Sequence, residues 1–244
     1  MPRDAADPAS ARRVRRPCEV PPTRDAERTR AAILAAAVDE FAAHGLSGAR
    51  VDRIATRARA NKRMLYHYFG AKEALYLAAL ESAYERIRGE EQKLDLDHLP
   101  PEQGVRELVA FTWRYFLAHP EFMSLLNTEN LHKARHLRQS RKIRALHSPL
   151  VAALSSLLAR GCREGAFRPG VDPVQLYVSI AALAYFYLSN SHTLSTIFGR
   201  DLRAKPALAE RLRHITELVV ASLRRRDAEA PAVAPASPGL TARS

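Results

Sequence analysis

Apolar residues recur every three or four positions along most of the chain, and this spacing predicts α-helices. The first helix shows it in Ile33, Leu34, Ala37, Val38 and Phe41, and His44-Gly45 predicts where that helix stops. We predict nine or ten helices and no strand, and therefore an all-α fold.

Two of the predicted helices are very short and lie close together. They cover residues 51–58 and 62–69, with Asn61 as the expected cap of the second and Gly70 at its end. Helices of this length are marginal in isolation. The pattern therefore predicts a helix-turn-helix, packed on the first helix, that holds the second short helix against DNA.

The second short helix divides into two faces. The residues predicted to pack inward are Leu65, Tyr68 and Phe69. Those left to face outward are Lys62, Arg63, Tyr66 and His67. Such a basic, aromatic and polar surface suits DNA phosphates and base edges.

The rest of the chain also reads as helical. A long helix is expected from Lys72 towards Gln92, and further helices from Pro101 through Leu117 and over residues 121–131. Ser148-Pro149, Asp172-Pro173 and Lys205-Pro206 each resemble a capped start with proline in the first turn. They predict helices over 149–164, 173–198 and 206–226.

Charge adds a candidate partner. The 244 residues hold 38 Lys/Arg against 26 Asp/Glu, a formal net charge of +12. Residues 1–24 carry six Lys/Arg against three acids, and residues 25–72 carry nine against five. The basic excess is thus densest at the helix-turn-helix end, which favours a nucleic-acid partner.

Prolines at both ends predict disordered tails, over residues 1–24 and 227–244. The first tail holds an arginine cluster: Arg12, Arg13, Arg15 and Arg16. It suits an arm that enters the minor groove or neutralises phosphates, and it suits a solvated tail equally well.

The sequence gives little support for several classes of protein. Cys18 and Cys162 fit neither a disulfide framework nor a zinc site, and with no apolar run or signal peptide we expect a cytoplasmic protein away from membranes. No phosphate loop, nucleophile elbow or carboxylate pair nominates a catalytic residue, and no cofactor is expected. His132 and His136, with Glu129, could form a metal face, but their basic surroundings favour a basic surface or a site for an acidic effector.

From Val51-Asp52-Arg53-Ile54-Ala55 through Tyr66-His67-Tyr68-Phe69-Gly70-Ala71-Lys72-Glu73-Ala74-Leu75, the chain resembles the TetR (TetR/AcrR) family of bacterial transcriptional regulators. A weaker resemblance, at His119-Pro120-Glu121-Phe122-Met123, is to the subgroup of pyrimidine-utilisation regulators. The resemblance implies a DNA-binding domain over 25–72 and an effector-binding and dimerisation domain over 73–226.

The resemblance also implies roles for matched positions. Tyr66 and Lys72 would grip phosphate, and Arg50 and Arg53 would do the same from the start of the first short helix. The major groove would be met from the second short helix by Lys62, Arg63, Met64 and His67, with Arg63 the candidate for a guanine. Asn61 is also expected among the DNA-binding residues. Two positions depart from the family pattern: Ala49 lacks a capping hydroxyl, and Arg59 replaces a turn glycine.

The same resemblance places effector and dimer sites in the C-terminal helices. Candidates for the effector pocket, each also suited to an ordinary core, are Trp113, Phe116, Phe122, Asn127, Asn130, Tyr177 and Tyr185. The apolar residues of the last two helices suit either an internal core stripe or a four-helix homodimer interface: Leu176, Ile180, Leu183, Leu208, Leu212, Ile215, Leu218 and Val219.

The function we predict is a homodimeric regulator, most often a repressor in this family, that binds a palindromic double-stranded operator and responds to a small molecule. The alternative is a helical enzyme or ligand carrier whose positive charge serves acidic substrates.

Overall fold

The computed structural model describes residues 24–225, apart from the side chains of Arg144 and Ser148. Over that range the chain forms α-helices joined by short loops, with one isolated bridge between Phe167 and Arg224 and no strand. This confirms the predicted all-α fold. The predicted tails and the arginine cluster at 12–16 lie outside the described residues, except for residue 24. The helices are α1 Arg24–Gly48, α2 Val51–Arg57, α3 Lys62–Phe69, α4 Lys72–Glu91, α5 Pro101–Ala118, α6 Pro120–Leu131, α7 Arg141–Arg163, α8 Pro173–Ser189, α9 Ser191–Phe198 and α10 Lys205–Leu223.

Helix α1 connects the two ends of the molecule. Its apolar stripe, with Ile33, Ala37 and Phe41 fully buried, packs against α2, α3 and α4 and also against α6. Gly45 interrupts the helix with φ 62° and ψ −179°, a conformation that costs glycine little. The stop predicted at His44-Gly45 is therefore confirmed, with one further turn up to Gly48.

Helix α4 is a single rod of 20 residues, about 30 Å long. Two residues separate it from α3, and it packs against α1, α7 and α5. Tyr76, Leu80 and Ile87 are buried along it, in one continuous core that also includes Leu65 of α3 and Ile215 of α10. Because α4 is one continuous helix packed along its length, a displacement at one of its ends is transmitted to the other.

The C-terminal body is built around α5, which packs against α7, α8 and α10. The predicted start of a helix at Asp172-Pro173 is confirmed, because the Asp172 carboxylate accepts hydrogen bonds from Val174 N at 2.7 Å and Gln175 N at 3.0 Å. The starts at Pro101 and near Pro206 are confirmed as well.

Two predicted helix bounds were wrong. Helix α7 begins at Arg141, eight residues before the predicted start, because Ser140 Oγ accepts a hydrogen bond from Ile143 N at 3.2 Å and Pro149 lies inside the helix. The predicted helix over 173–198 is two helices. Asn190 Nδ2 and Ser191 Oγ donate to the carbonyls of Phe186 and Leu188, and such side-chain bonds compete with the helical ladder.

Within residues 24–225, none of the helices combines the length and the apolar character that crossing a membrane requires.

Candidate nucleic-acid interface

The turn between α2 and α3 is tight and contains a strained residue. Arg59 adopts the left-handed conformation with φ 52°, which costs a residue with a Cβ on the order of 1 kcal/mol. Hydrogen bonds from Arg59 N to Thr56 O at 3.1 Å and from Ala60 N to Ala55 O at 2.9 Å close the turn. The backbone thus takes the path that a glycine would allow more cheaply.

Helix α3 is held from its first turn to its last. Asn61 Oδ1 accepts a hydrogen bond from Met64 N at 2.8 Å, which confirms the predicted cap. Leu65 and Phe69 are buried against the core, and the guanidinium of Arg30 lies 5.2 Å from the centre of the Phe69 ring. These contacts fix the orientation of a helix that is too short to be stable alone.

The outer face of α3 carries the side chains predicted to face outward. Lys62, Arg63, Tyr66 and His67 are exposed, Tyr66 to 47%, whereas Met64 and Tyr68 are half-buried. Lys62 Nζ lies 2.5 Å from Asp52 Oδ1, and this hydrogen bond raises the pKa of Lys62. Arg63 forms no ion pair with any residue in 24–225, so its guanidinium is open to an anion or a base edge.

A buried carboxylate organises the start of α2. Glu40 of α1 is 7% exposed, and its Oε1 accepts a hydrogen bond from Arg50 N at 3.0 Å. Arg53 Nη1 donates to His44 Nε2 at 2.9 Å and lies 3.6 Å from Glu40 Oε1. Helix α1 therefore positions both arginines predicted to meet phosphate.

The role of Glu40 was not predicted, although the sequence held a signal. It is an acid next to Phe41, three residues after Ala37, on the apolar stripe of α1. The loss of a side-chain cap was predicted at Ala49, whereas the cap position of α2 is Arg50. Ala49 is buried, and Arg50 begins α2 with no side-chain cap.

Helix α4 presents its start beside α3. Gly70, with φ 75°, ends α3, and Lys72 is the first residue of α4, with Nζ donating to Ser47 O at 3.4 Å. Ala71 provides no side-chain cap, so the first N–H groups of α4 have no side-chain acceptor. Free N–H groups at a helix start, together with a lysine, attract phosphate.

Comparison with known proteins decides the family. Residues 33–79 match the family described as "Bacterial regulatory proteins, tetR family". Residues 101–219 match the family described as "Tetracyclin repressor-like, C-terminal domain". The HTH-type transcriptional repressor NicS of Pseudomonas putida is 46% identical over 200 residues, which cover 82% of this chain and 94% of NicS. The chain belongs to the TetR family.

More distant relatives extend this similarity over most of the chain. The HTH-type transcriptional regulator RutR of Escherichia coli K12 is 26% identical over 195 residues, 80% of this chain and 90% of RutR. A crystal structure of the transcriptional regulator SCO4942 from Streptomyces coelicolor superposes with a TM-score of 0.61 at 27% identity, covering 81% of this chain and 99% of that one. This TetR-family chain is thus a helix-turn-helix transcriptional regulator.

The seven residues predicted to line an effector pocket lie in different environments. Trp113, Phe116 and Phe122 are buried in the core. Asn127 Oδ1 accepts a hydrogen bond from the Tyr185 hydroxyl, and Asn130 Nδ2 donates to Leu126 O of its own helix at 3.0 Å.

Tyr177 contacts a residue that lines a cavity of about 250 Å³ at the end of α4, because its hydroxyl accepts a hydrogen bond from Arg88 Nη2 at 2.6 Å. None of the seven lines this cavity. Arg88 and Glu91, which do, were not predicted. The sequence held a signal for the burial of Arg88, since it continues the four-residue spacing of the buried residues Tyr76, Leu80 and Tyr84.

Glu129 and His136, two of the three residues considered as a possible metal site, have a structural role. Glu129 is 1% exposed, and its Oε1 accepts hydrogen bonds from the backbone N–H groups of His136 at 2.8 Å and Leu137 at 2.9 Å. Its Oε2 lies 2.9 Å from His136 Nδ1. The carboxylate thus holds the turn after α6, where Lys133 and Ala134 have positive φ. No three His, Cys, Asp or Glu residues between 24 and 225 are grouped as metal ligands.

The apolar residues of the last two helices also divide. Leu176, Ile180, Ile215 and Val219 lie in the core of this chain, as the alternative of an internal stripe required. Leu183, Leu208 and Leu212 are half-buried, and Leu218 is exposed. A further exposed apolar stripe, which was not predicted, follows α8 through Val174, Val178 and Phe186.

Proposed function

We propose that this chain is a homodimeric repressor that binds a palindromic DNA operator through α3 and releases it when a small molecule binds the C-terminal body. The observation that carries the proposal is the exposed face of α3. Lys62, Arg63, Tyr66 and His67 project from a helix whose cap and buried side are both fixed. Such a surface can enter the major groove without first paying to become ordered.

We assign the contacts in two groups. Lys72, Tyr66, Arg50 and Arg53 would hold phosphates and set the register of α3. Bases would be read from the first turns of α3 by Asn61, Lys62, Arg63, Met64 and His67, with Arg63 paired to a guanine. Lys62 must exchange Asp52 for DNA, so we expect a smaller gain from it than from Arg63.

The proposed domains meet along α4. Residues 25–72 form the DNA-binding domain and residues 73–226 the effector-binding and dimerisation domain. The packing of α1 against α6, and the continuity of α4 from Lys72 to Glu91, support a rigid connection between the two. A ligand that moves the far end of α4 would thereby move α3.

The exposed stripe Val174, Val178 and Phe186 of α8, with Leu218 of α10, supports a homodimer. Phe186 is 58% exposed, and large apolar side chains in a row on one face mark a surface that a partner covers. Pairing α8 and α10 with their copies would bury this row in a four-helix interface. A two-fold dimer in turn matches a palindromic operator.

Repression and its relief follow from dimer geometry. Two recognition helices must match major grooves about 34–36 Å apart, so a ligand that favours another spacing releases the DNA. To invert a 1:99 population, the ligand must prefer one state by about 5.5 kcal/mol. NicS, the relative with 46% identity, is named a repressor, which supports this sign of regulation.

The partners in this proposal are double-stranded DNA, a second copy and a small molecule, in the bacterial cytoplasm. The role is regulatory, with no catalytic residue and no cofactor.

The test begins with DNA from upstream of the chain's own gene. Purified full-length protein should retard this fragment and protect a palindromic site in a footprint, and a reporter fused to the site should rise when the gene is deleted. Absence of a protected site at low salt, in this and in a pool of random duplexes, would contradict the proposal. A fall in reporter signal on deletion would indicate activation instead.

A further inference from the structure

The turn between α6 and α7 carries a dense group of cations. Residues 130–144 include six Lys/Arg and no Asp or Glu. Lys142 pairs with Glu85 of α4, its Nζ 2.5 Å from Glu85 Oε1. Four others are exposed and form no ion pair within residues 24–225, and we call these four the basic turn: Lys133, Arg135, Arg138 and Arg141. Their charges are thus open to an anionic partner.

The backbone of the basic turn is strained and held in place. Lys133 and Ala134 are both left-handed, with φ 55° and 57°, a conformation that is unfavourable for a residue with a Cβ. The buried carboxylate of Glu129 fixes this backbone by accepting the N–H groups of the two residues that follow Arg135. Arg138 Nη2 donates to Lys133 O at 2.7 Å. Strain of this kind concentrates at functional sites, and here it holds exposed cations on one short turn.

The start of α7 adds to the positive potential. Its first turn contains Arg141 and Lys142 and no acidic residue. The N-terminal end of a helix carries a partial positive charge, which favours acids at this place and disfavours cations. The sequence therefore places Arg141 where it opposes helix stability, and an anion bound in front of α7 would offset this repulsion.

The packing of the chain after the basic turn shows where the turn lies along α4. The centre of the His136 ring is 5.0 Å from that of Tyr76, and Ser140 Oγ donates to Glu81 Oε1 at 2.6 Å. Lys142 then meets Glu85, so α7 leads away from the start of α4. The basic turn therefore lies at the end of this packing nearest Lys72, and Tyr76 is one helical turn, about 6 Å, from Lys72.

The end of α6 places the basic turn beside α1 as well. A Cβ on Gly45 of α1 would lie 3.8 Å from Thr128 Oγ1 of α6, five residues before Lys133. Gly45 precedes Ser47 by two residues, and the carbonyl of Ser47 accepts a hydrogen bond from Lys72 Nζ at 3.4 Å. The basic turn is thus next to both elements that meet at Lys72.

We propose that the basic turn is a second phosphate-binding surface, which contacts the DNA backbone beside the phosphates bound by Lys72. A row of phosphates can engage several exposed cations at once, and a duplex bound by α3 brings such a row to the start of α4. The inference rests on the proposed function, since the duplex is the operator that α3 reads. Contacts to phosphate alone add affinity without changing the preference among bases.

The test compares full-length wild type with Lys133→Asn/Arg135→Gln, which removes two charges from each protomer. Asparagine is chosen because it tolerates the left-handed conformation of Lys133. The matched control is Arg163→Gln/Arg200→Gln, which removes two exposed charges at the far end of α7 and after α9. Fluorescence anisotropy with the footprinted operator between about 50 and 300 mM salt measures affinity and its salt dependence.

We expect the slope of log K against log salt to fall by about 3 to 4 in the Lys133→Asn/Arg135→Gln dimer, and affinity to fall at least tenfold. The preference among single-base operator variants should stay as in the wild type. The control should keep the affinity and slope of the wild type. Unchanged affinity and slope in Lys133→Asn/Arg135→Gln, or an equal loss in the control, would overturn the proposal.

Ethylation interference locates the contacts on individual phosphates. In the wild type, we expect interference at the phosphates lost in Lys72→Gln and at neighbouring phosphates that Lys72→Gln retains. This second group should be absent in Lys133→Asn/Arg135→Gln. The same set of interfering phosphates in wild type and in Lys133→Asn/Arg135→Gln would contradict the proposal.

Two further outcomes separate this inference from its alternatives. A wild type that binds operator normally while Lys133→Asn/Arg135→Gln is unaffected would overturn the inference and leave the proposed function standing, whereas a wild type that binds no duplex would contradict both. Calorimetry with pyrophosphate tests a small anion as the partner. Pyrophosphate binding that is lost in Lys133→Asn/Arg135→Gln, with operator affinity unchanged, would replace the DNA backbone by a small anion and overturn the proposal.

Discussion

Arg63 is the side chain on which base recognition depends most in this account. It lies in the first turns of α3, is exposed, and has no ion-pair partner in residues 24–225, unlike Lys62 beside Asp52. Arg63→Ala should therefore weaken binding to the operator by about 1–3 kcal/mol, roughly 5- to 150-fold, and relax preference at one base pair in each half-site.

Fluorescence anisotropy with the operator and its single-base variants measures both effects. Arg200→Ala serves as the control, because Arg200 is exposed at the end of α9 and outside the proposed interface. An unchanged pattern of base preference in Arg63→Ala would show that Arg63 only contacts phosphate or solvent.

Glu91 makes folding stability depend on pH. Burial raises its pKa to about 7 from 4.5, against the opposing effect of Arg88. A carboxyl whose pKa is higher in the folded state favours folding when protonated, so this contribution is present below pH 4.5 and is lost as pH rises through 7. Relative to Glu91→Gln, the wild type should lose about 3 kcal/mol between pH 4.5 and pH 8.

Urea unfolding of both proteins at several pH values measures this difference. The groups that interact with Glu91 include Arg88, whose guanidinium opposes the rise in its pKa, and Tyr177 and Tyr115, whose own pKa values burial raises. A difference that stays constant with pH would contradict the raised pKa of Glu91.

What the sequence predicts at the residue scale depends on whether the signal is local. Asn61 capping three residues ahead and Leu65 packing inward follow from the spacing within one helix, and both are confirmed. The partners of Glu40 and Glu91 could not be predicted. Burial of a charged group on an apolar stripe depends on which helix covers it, and that is decided by tertiary packing.

At the scale of elements, the turn before α3 is a point of stored strain. Arg59 has φ 52°, where glycine is favoured. Arg59→Gly should stabilise the fold by about 1 kcal/mol. The control Arg57→Gly, at the last residue of α2, should destabilise it by about 0.5–1 kcal/mol, because glycine is a poor helix former.

Urea unfolding measures the change in the free energy of unfolding for both variants. The affinity of Arg59→Gly for the operator is measured as well. If Arg59→Gly is as destabilising as Arg57→Gly, the turn is not strained at Arg59. A loss of DNA affinity in a stabilised Arg59→Gly would mean that Arg59 is retained as a phosphate contact.

A cap followed by a proline predicted the start of one helix correctly and the start of another wrongly. Asp172-Pro173 begins α8 as predicted. At Ser148-Pro149 the same signal misled, because Ser140 caps α7 earlier and a proline within a helix removes a single hydrogen bond that packing can offset. The break at Asn190 depends on side-chain bonds to the backbone that no apolar spacing records.

At the scale of the whole molecule, the exposed stripe on α8 predicts the oligomeric state. Val178→Glu places a charge in the centre of the proposed dimer interface and should weaken dimerisation at least 100-fold, and operator binding with it, because each half-site then binds separately. Sedimentation velocity over a range of concentrations measures this. Leu131→Glu is the control, since Leu131 is 83% exposed at the end of α6 and lies outside the stripe. A dimer that survives Val178→Glu unchanged would place the interface elsewhere.

The central claim is that α3 and the start of α4 bind DNA phosphates and bases, and the salt dependence of operator affinity tests it most directly. The measurement compares wild type, Tyr66→Phe/Lys72→Gln and the control Lys93→Gln by anisotropy between about 50 and 300 mM salt, where the affinity of proteins for DNA falls steeply with salt. The variant loses two phosphate contacts per protomer, of which only that of Lys72 carries a charge. Binding should therefore weaken and the slope of log K against log salt should fall by about 2 for a dimer, while Lys93→Gln behaves as wild type. An unchanged affinity and slope in Tyr66→Phe/Lys72→Gln would contradict the account.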